Sequence, residues 1–257
     1  MKYPKMILFD YGNTLLYEPD FDTLRGQKAL LPYIKSNPHS RTPEEIVAFS
    51  DRLFAEMRKA RAIGFEIHER QFQQLLYEYL KLEFTIPFTE VERIFWENTS
   101  PGKVMPGADK MLDFINRKRI RSGVISNISF SGQALAQRIN RLLPHNQFEF
   151  VITSSEYGVC KPNRLLFELA LQKSGLAVCD VWFCGDSLEA DVTGAAQLGI
   201  FPVWYEDSTV ENPWRKKSDM TVPAGEILHI ENWNCLLRVL TRLESENADR
   251  HLETAGQ

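Results

Sequence analysis

Apolar residues recur at two different spacings along the chain, and the change of spacing divides the chain in two. From about residue 17 to residue 104 they recur every three or four positions, as in the stretch HERQFQQLLYEYLKL (68–82). This spacing predicts amphipathic helices, because residues three or four apart share one face of a helix. We therefore expect this block to be all-helical, with about four helices packed in a bundle.

Helix start signals mark two of the predicted helices. Thr42 is a suitable N-cap, Pro43 follows in the first helical position, and Glu45 can complete a capping box. Thr89 and Glu92 repeat the same spacing in the stretch FTEVERIF. We expect each threonine to cap the start of a helix.

Outside this block, short apolar runs alternate with helical patterns. MILF (6–9) is the first such run, and those after residue 105 are RSGVIS, FEFVITS, DVWFCGD, IFPVWY and EILHI. Alternation of strands and helices predicts a parallel sheet with helices on both faces. We expect a Rossmann-like, doubly wound α/β core of residues 1–16 and 105–257, with residues 17–104 inserted as a helical domain.

Composition and charge restrict the possible partners. The chain has 257 residues, 44% of them hydrophobic, and a formal net charge of −4. A net negative charge argues against nucleic acid or an anionic membrane as a partner, so an anionic ligand must be held by local positive charge. The opening apolar run of four residues is too short for a signal peptide, and no stretch approaches membrane-spanning length. We expect a cytoplasmic protein.

Cysteine spacing offers no metal-binding motif. The four cysteines are Cys160, Cys179, Cys184 and Cys235, and no two of them form a CxxC pair. In a cytoplasmic protein this pattern predicts reduced, buried thiols rather than disulfides or a zinc site.

Polar residues follow several of the predicted strands at the point where each strand ends. Asp10 follows MILF, Ser126 follows GVI, Lys161 follows a strand and loop, and Asp186 follows VWFCG, with Asp191 five residues further on. Each could be an ordinary turn or helix-cap residue by itself. Together they are expected to meet, because the carboxyl ends of parallel strands form one ligand crevice. A carboxylate, a hydroxyl, an ammonium group and an acidic pair can bind a divalent cation and a phosphoryl group and can attack phosphorus.

These residues stand in four motifs that resemble those of the haloacid dehalogenase superfamily of phosphatases. The motifs are FDYGNTL (9–15), VISN (124–127), CKP (160–162) and GDSLEAD (185–191), in the family's order. The resemblance implies that Asp10 attacks phosphorus to form an aspartyl-phosphate, which water then hydrolyses. It also implies that the helical insert is a cap domain that covers the site and selects the substrate.

The resemblance further implies how the site binds phosphate and metal. Ser126 and the backbone N–H groups near Asn127 would hold the phosphoryl oxygens, and Lys161 would neutralise charge shared by the phosphate and the nucleophile. Mg²⁺ would be bound by an all-oxygen set, which suits a hard cation. The implied metal ligands are Asp10, the backbone carbonyl of Gly12 and Asp186, with Asp191 acting directly or through water.

One position departs from the family pattern. Most family phosphatases carry an acid two residues after the nucleophile, where this chain has Gly12. General acid–base catalysis is typically worth ~10²–10⁴-fold, so the change predicts slower catalysis rather than none. Candidate replacements are Glu18, Asp20, Asp22, His68 and Glu189, or a leaving group that is already acidic.

The function expected from these motifs is Mg²⁺-dependent hydrolysis of small organic phosphate monoesters, with nucleotides and sugar phosphates as the leading classes. A phosphate-binding or regulatory protein with weak catalysis is the main alternative. A haloacid dehalogenase is disfavoured by GDSLEAD, because that branch of the family loses the acidic fourth motif. A phosphonatase would need a reactive lysine in the insert, where Lys28, Lys35 and Lys59 stand in no recognisable motif.

Overall fold

The computed structural model describes residues 1–210 and 225–255. The strands within these residues are β1 (Met6–Phe9), β2 (Leu16–Tyr17), β3 (Ile34–Ser36), β4 (Glu83–Phe84), β5 (Lys103–Val104), β6 (Arg121–Ser126), β7 (Phe148–Thr153), β8 (Val181–Gly185), β9 (Phe201–Tyr205) and β10 (Leu228–Ile230). The α-helices are α1 (Thr23–Leu30), α2 (Pro43–Ala62), α3 (Glu69–Tyr79), α4 (Phe88–Thr99), α5 (Ala108–Arg117), α6 (Gly132–Leu142), α7 (Ser154–Tyr157), α8 (Arg164–Ser174), α9 (Gly194–Ala196) and α10 (Trp233–Ala255).

A six-stranded parallel sheet forms the core, in the order β10-β9-β8-β1-β6-β7. β1 lies in the middle, with Phe9 opposite Val124 on one side and Cys184 on the other. Its alternate side chains enter different apolar clusters, Ile7 and Phe9 on one face and Met6 and Leu8 on the other. Both faces of the sheet are therefore covered, which confirms the predicted doubly wound α/β core.

The four helices α1 to α4 lie between β2 and β5, which pair antiparallel where the chain leaves and re-enters the core. The residues between these two strands are called the cap below. The four predicted helices are confirmed, and the cap also contains a short antiparallel pair, β3 and β4, that the helical spacing does not indicate. The domain boundaries at residues 17 and 104 stay a prediction.

The two predicted helix starts have different outcomes. Thr42 caps α2 through a complete capping box with Glu45 and with Pro43 at the first position, as predicted. The predicted cap at Thr89 is wrong, because the N-cap of α4 is Pro87, two residues earlier, and this cap makes no side-chain hydrogen bond. The Glu92 carboxylate instead accepts hydrogen bonds from Ser131 in the core.

The cysteines are free thiols, but they are not uniformly buried as predicted. Cys184 is buried in the central sheet, Cys160 and Cys235 are partly buried, and Cys179 is exposed. Cys179 lies in a one-turn 3₁₀ helix, Val178–Asp180, that directly precedes β8. This turn is at the surface, so the apolar residues around Cys179 in the sequence do not make it buried. Among the described helices, none has the length and apolarity needed to cross a membrane.

Candidate active site

Asp10 stands at the carboxyl end of the central strand. Its backbone N–H donates to the carbonyl of Cys184 at 2.9 Å, which continues the sheet by one residue beyond β1. Its side chain is buried with its carboxylate Oδ1 2.8 Å from the Lys161 ammonium group. The predicted meeting of these two residues, 151 positions apart in sequence, is confirmed.

Lys161 forms the centre of the site. Its Nζ donates to Oδ1 of Asp10 at 2.8 Å, to Oδ1 of Asp191 at 2.6 Å and to the carbonyl of Ile125 at 2.8 Å. These three bonds use all three ammonium protons. Burial by itself would lower the pKa of Lys161, but the two carboxylates outweigh burial and the pKa is raised. Lys161 is therefore positively charged at neutral pH.

The Asp10 carboxylate has an elevated proton affinity. Burial raises its pKa, the charge of Lys161 opposes that effect, and Asp191 adds to it, so that the pKa is about 6. A carboxylate with this pKa is still mostly ionised at neutral pH, and an additional cation nearby would favour the ionised form further. Asp10 therefore suits a role as a nucleophile in a site that also holds a cation.

Ser126 is the last residue of the neighbouring strand β6 and is buried, and Asn127 directly follows it. The Asn127 side chain makes two bonds to the backbone of Lys161: Nδ2 donates to the carbonyl at 2.9 Å, and Oδ1 accepts from the N–H at 2.7 Å. This clamp fixes the start of the Lys161 side chain against the strand that carries Ser126. The sequence indicates a role only for the backbone N–H groups near Asn127. The two hydrogen bonds of its side chain to Lys161 could be seen only in the folded structure.

Three carboxylates form an acidic cluster beside Lys161. Asp10, Asp186 and Asp191 each offer an oxygen within 4.8 Å of the others. Asp191 is buried, and its second oxygen accepts from the backbone N–H of Ser187 at 3.0 Å. If all three carboxylates are ionised, the cluster and Lys161 together carry a net charge of −2. An all-oxygen cluster with this excess fits Mg²⁺.

Neighbouring residues hold the acidic cluster in shape. The Asn13 side chain donates to Oδ2 of Asp186 at 3.1 Å, and the Trp204 indole N–H donates to the backbone carbonyl of Asp186 at 3.2 Å. At Gly185 a Cβ atom would lie 2.3 Å from an oxygen of Asp191, so only glycine admits this carboxylate. The sequence identifies GDSLEAD only as an acidic motif, and it does not predict the close approach at Gly185 or the contacts of Asn13 and Trp204.

Gly12 faces open space in the turn that follows β1. A Cβ atom there would have Asp10 Oδ2, at 4.0 Å, as its nearest neighbour, and its backbone does not take the left-handed conformation. Asn13 takes that conformation instead, with φ of 55°. Neither sterics nor backbone strain therefore requires glycine at this position.

Glu18, the first candidate for the missing acid, belongs to a buried ion pair. One of its oxygens accepts from the Tyr11 hydroxyl at 2.8 Å and from Nη1 of Arg138 at 2.7 Å. Arg138 is itself buried and donates to the carbonyls of Trp96 and Ser100. The arrangement joins the segment after β2, the end of α4 and helix α6, which indicates a structural role for Glu18.

The other candidates for the missing acid are also engaged elsewhere or exposed. Asp20 pairs with Arg25 at 2.9 Å, and Asp22 caps α1 by accepting from the Arg25 N–H. His68 caps α3 through Nδ1, and Glu189 is exposed. These contacts favour helix capping and surface pairing over proton transfer at Asp10.

Comparison with known proteins agrees with this geometry. Residues 4–199 match the family model of haloacid dehalogenase-like hydrolases. The chain is 28% identical to the glyceraldehyde 3-phosphate phosphatase of Pyrococcus abyssi, over 79% of this chain and 81% of that protein. It is 34% identical to the pyrimidine 5'-nucleotidase YjjG of Escherichia coli, over 42% of this chain and 48% of that protein.

A solved structure shows the same fold. The 2-haloacid dehalogenase of Pseudomonas syringae superposes with a TM-score of 0.59 at 20% identity, covering 93% of this chain and 99% of that one. The family match spans both the acidic cluster and the cap, so it includes all four motifs. The chain belongs to the haloacid dehalogenase-like hydrolase family.

Proposed function

We propose that this hydrolase is a Mg²⁺-dependent phosphatase that cleaves small organic phosphate monoesters through an aspartyl-phosphate on Asp10. The observation that carries the proposal is the buried Lys161 ammonium group, which binds Asp10 and Asp191 at 2.8 Å and 2.6 Å beside a third carboxylate, Asp186. Two similar proteins are named a glyceraldehyde 3-phosphate phosphatase and a pyrimidine 5'-nucleotidase. Their names support sugar phosphates and nucleotides as substrate classes.

In the proposed first step, a carboxylate oxygen of Asp10 attacks phosphorus and the alcohol leaves. Lys161 binds Oδ1, and Oδ2 faces the open space at Gly12, so we assign the attack to Oδ2. Ser126 and the backbone N–H groups near Asn127 bind the phosphoryl oxygens. In the second step water attacks phosphorus, releases phosphate and restores the Asp10 carboxylate.

The acidic cluster would bind the metal through Asp10, Asp186 and the backbone carbonyl of Gly12. When bound there, Mg²⁺ supplies positive charge that offsets the negative charge of nucleophile and phosphate. Both oxygens of Asp191 already accept hydrogen bonds, from Lys161 and from Ser187, so we assign it a supporting role.

Among the described residues, the site lacks an evident group to protonate the leaving oxygen. Gly12 supplies no acid, and the nearby acids in the cap have structural partners. The reaction should therefore favour leaving groups that need little protonation, such as phenols.

Two alternative reactions have less support. A phosphonatase needs a reactive lysine, but Lys28, Lys35 and Lys59 are exposed and paired with Glu44, Glu83 and Glu56 respectively. A dehalogenase needs no metal, whereas this chain keeps a cluster of three carboxylates.

An assay with an aryl phosphate, with and without Mg²⁺, tests the proposal most simply. We expect turnover that requires Mg²⁺ and stops on addition of EDTA. Binding of orthophosphate without any turnover would favour the phosphate-binding alternative. If turnover is found, a panel of nucleotides and sugar phosphates would then identify the substrate class.

A further inference from the structure

A short segment of the cap pairs with the loop that leads to Lys161. Phe65 and Val159 form an antiparallel bridge. On either side of it, the Glu66 N–H donates to the carbonyl of Gly158 at 3.1 Å, and the Cys160 N–H donates to the carbonyl of Gly64 at 2.9 Å. The backbone of the cap therefore borders directly on the residue before Lys161.

The Glu66 carboxylate is buried at the centre of this contact. Its side chain has no exposed area, although Arg61, which pairs with it at 2.9 Å, is 35% exposed. Oε2 accepts from the Ser154 hydroxyl at 2.8 Å and from the Cys160 thiol at 3.4 Å. Oε1 accepts from the N–H of Ile67 at 2.9 Å. One cap carboxylate thus binds two residues of the core.

These two core residues support the loops that carry the proposed phosphate-binding groups: Ser154, the first residue of α7, contacts the loop after β6, and Cys160 lies in the loop before Lys161. Ser154 Oγ accepts from the backbone N–H of Ile128 at 2.8 Å, two residues after Ser126. Cys160 directly precedes Lys161, whose backbone is held by Asn127. Glu66 therefore supports both the loop after β6 and the loop before Lys161.

We propose that Glu66 is a positioning residue that couples the seating of the cap to the geometry of the phosphate-binding side of the active site. The inference rests on the proposed function, since it assumes that Ser126 and Lys161 bind phosphate. When the cap is seated, Glu66 fixes Ser154 and, through it, the Ile128 N–H. When the cap lifts, both loops lose this support. By linkage, bound phosphate must in turn favour the seated cap.

The test uses calorimetry to compare orthophosphate binding, in the presence of Mg²⁺, between the wild-type protein and its variants. Glu66→Ala should weaken binding about 10-fold, because a charge-assisted hydrogen bond contributes about that much when lost. Glu66→Gln keeps an oxygen acceptor without the charge, so its orthophosphate affinity should lie between those of the wild-type protein and Glu66→Ala. Tyr77→Phe is the matched control, because it removes a hydrogen bond to Gln27 inside the cap, at 2.9 Å, without touching the core.

A second readout reports on cap seating. Orthophosphate should slow limited proteolysis at the cap–core junction of the wild-type protein and of Tyr77→Phe, but much less in Glu66→Ala. Ser154→Ala removes the same hydrogen bond from the core side and keeps the Glu66 carboxylate with its partner Arg61, so it serves if Glu66→Ala does not fold. The double variant Glu66→Ala/Ser154→Ala should lose less orthophosphate affinity than the sum of the two single losses, because both variants remove the same hydrogen bond.

The outcomes separate the two proposals. Wild-type affinity in folded Glu66→Ala or in Ser154→Ala, or an equal loss in Tyr77→Phe, would overturn the coupling and leave the phosphatase proposal standing. A wild-type protein that binds no orthophosphate would overturn both. A wild-type protein that binds orthophosphate without turning over substrate would overturn only the phosphatase proposal, while the variants still test the coupling.

Discussion

The cluster of Asp10, Asp186, Asp191 and Lys161, called the strand-end cluster below, and the contacts between the cap and the core, called the cap–core interface, both bury charged groups, but they balance the charges differently. In the cluster, three carboxylates stand against the single ammonium group of Lys161. At the interface, Arg138 pairs with Glu18 and two carbonyls, and Glu92 accepts twice from Ser131. The cluster has an excess of negative charge and suits a cation, whereas the interface charges have local partners and serve structure.

This difference shows how charge balance separates a reactive site from a structural one. A buried charge costs several kcal/mol unless it is paired. An incompletely compensated cluster persists where a ligand completes it, and a compensated pair persists where it fixes two elements together. The predictions below remove charge from one region or the other, with the largest expected effect first.

Removing a carboxylate from the strand-end cluster should abolish activity. Asp10→Asn deletes the attacking oxygen, and Asp186→Asn deletes a proposed metal ligand, so each should lower kcat by about a thousand-fold or more while the protein stays folded. Steady-state assays and circular dichroism measure the two effects. Asp113→Asn, at an exposed position on α5, is the matched control and should behave as wild type. If Asp10→Asn kept more than a small fraction of turnover, the nucleophile assignment would be wrong.

Removing the buried cation from the cap–core interface should cost stability. Arg138→Ala leaves Glu18 with only the Tyr11 hydroxyl as a donor and removes the guanidinium from the carbonyls of Trp96 and Ser100, so the free energy of unfolding should fall by about 3 kcal/mol or more. Urea denaturation measures the loss. Arg164→Ala breaks an exposed pair with Glu168 and should cost less than about 0.5 kcal/mol. Equal losses in the two variants would show that the interface charges are not structural.

Restoring an acid to the cluster should speed the reaction of poor leaving groups. Gly12→Asp should raise kcat on alkyl phosphates about 10-fold or more, since a positioned general acid contributes ~10²–10⁴-fold. Its Cβ has room, with Asp10 Oδ2 the nearest atom at 4.0 Å. Aryl phosphates should change much less, so the ratio of the two rates is the measurement. A folded variant with unchanged alkyl turnover would mean that another group already transfers the proton.

The interface should also carry a pH dependence of stability. Burial and the nearby charge of Glu92 raise the pKa of Glu69 from its ordinary 4.5 to about 8. A carboxyl with a raised pKa binds its proton more tightly in the folded state, so stability falls as pH rises between about 4.5 and 8. Glu69→Gln keeps an acceptor for Gln73 and should gain in melting temperature relative to wild type across that range. Glu83→Gln, at an exposed position in the cap, is the matched control. A pH-independent difference for Glu69→Gln would contradict the assignment.

The sequence indicated that the residues of the strand-end cluster would lie close together, because topology brings strand ends together. Asp10 and Asp186 each directly follow a buried strand, and parallel strands place such residues at one edge of the sheet. Lys161 follows a loop and Asp191 lies one turn into the next helical segment, and Lys161 contacts both Asp10 and Asp191. The short spacing within GDSLEAD also reflected local geometry, because Gly185 must leave room for Asp191.

The interface could not be predicted in the same way. Glu18 and Arg138 are 120 positions apart, and Glu92 and Ser131 are 39 apart, and neither pair follows strand ends. Glu92 has the spacing from Thr89 that is typical of a capping box, but its carboxylate instead accepts a hydrogen bond from Ser131 in the core. Local patterns in the cap indicated helices correctly and gave no information about the partners of their charged side chains.

The most direct test of the central claim is to trap the phosphorylated enzyme. The Mg²⁺-loaded protein is mixed with an aryl phosphate, quenched in acid within the first turnovers and treated with borohydride, which reduces an acyl phosphate on aspartate to homoserine. Peptide mass spectrometry then locates the modified residue. The account predicts homoserine at position 10 in the substrate-treated sample, and none in Asp10→Asn or without substrate. Modification at another residue, or steady release of phosphate with no modified residue in the quenched protein, would contradict it.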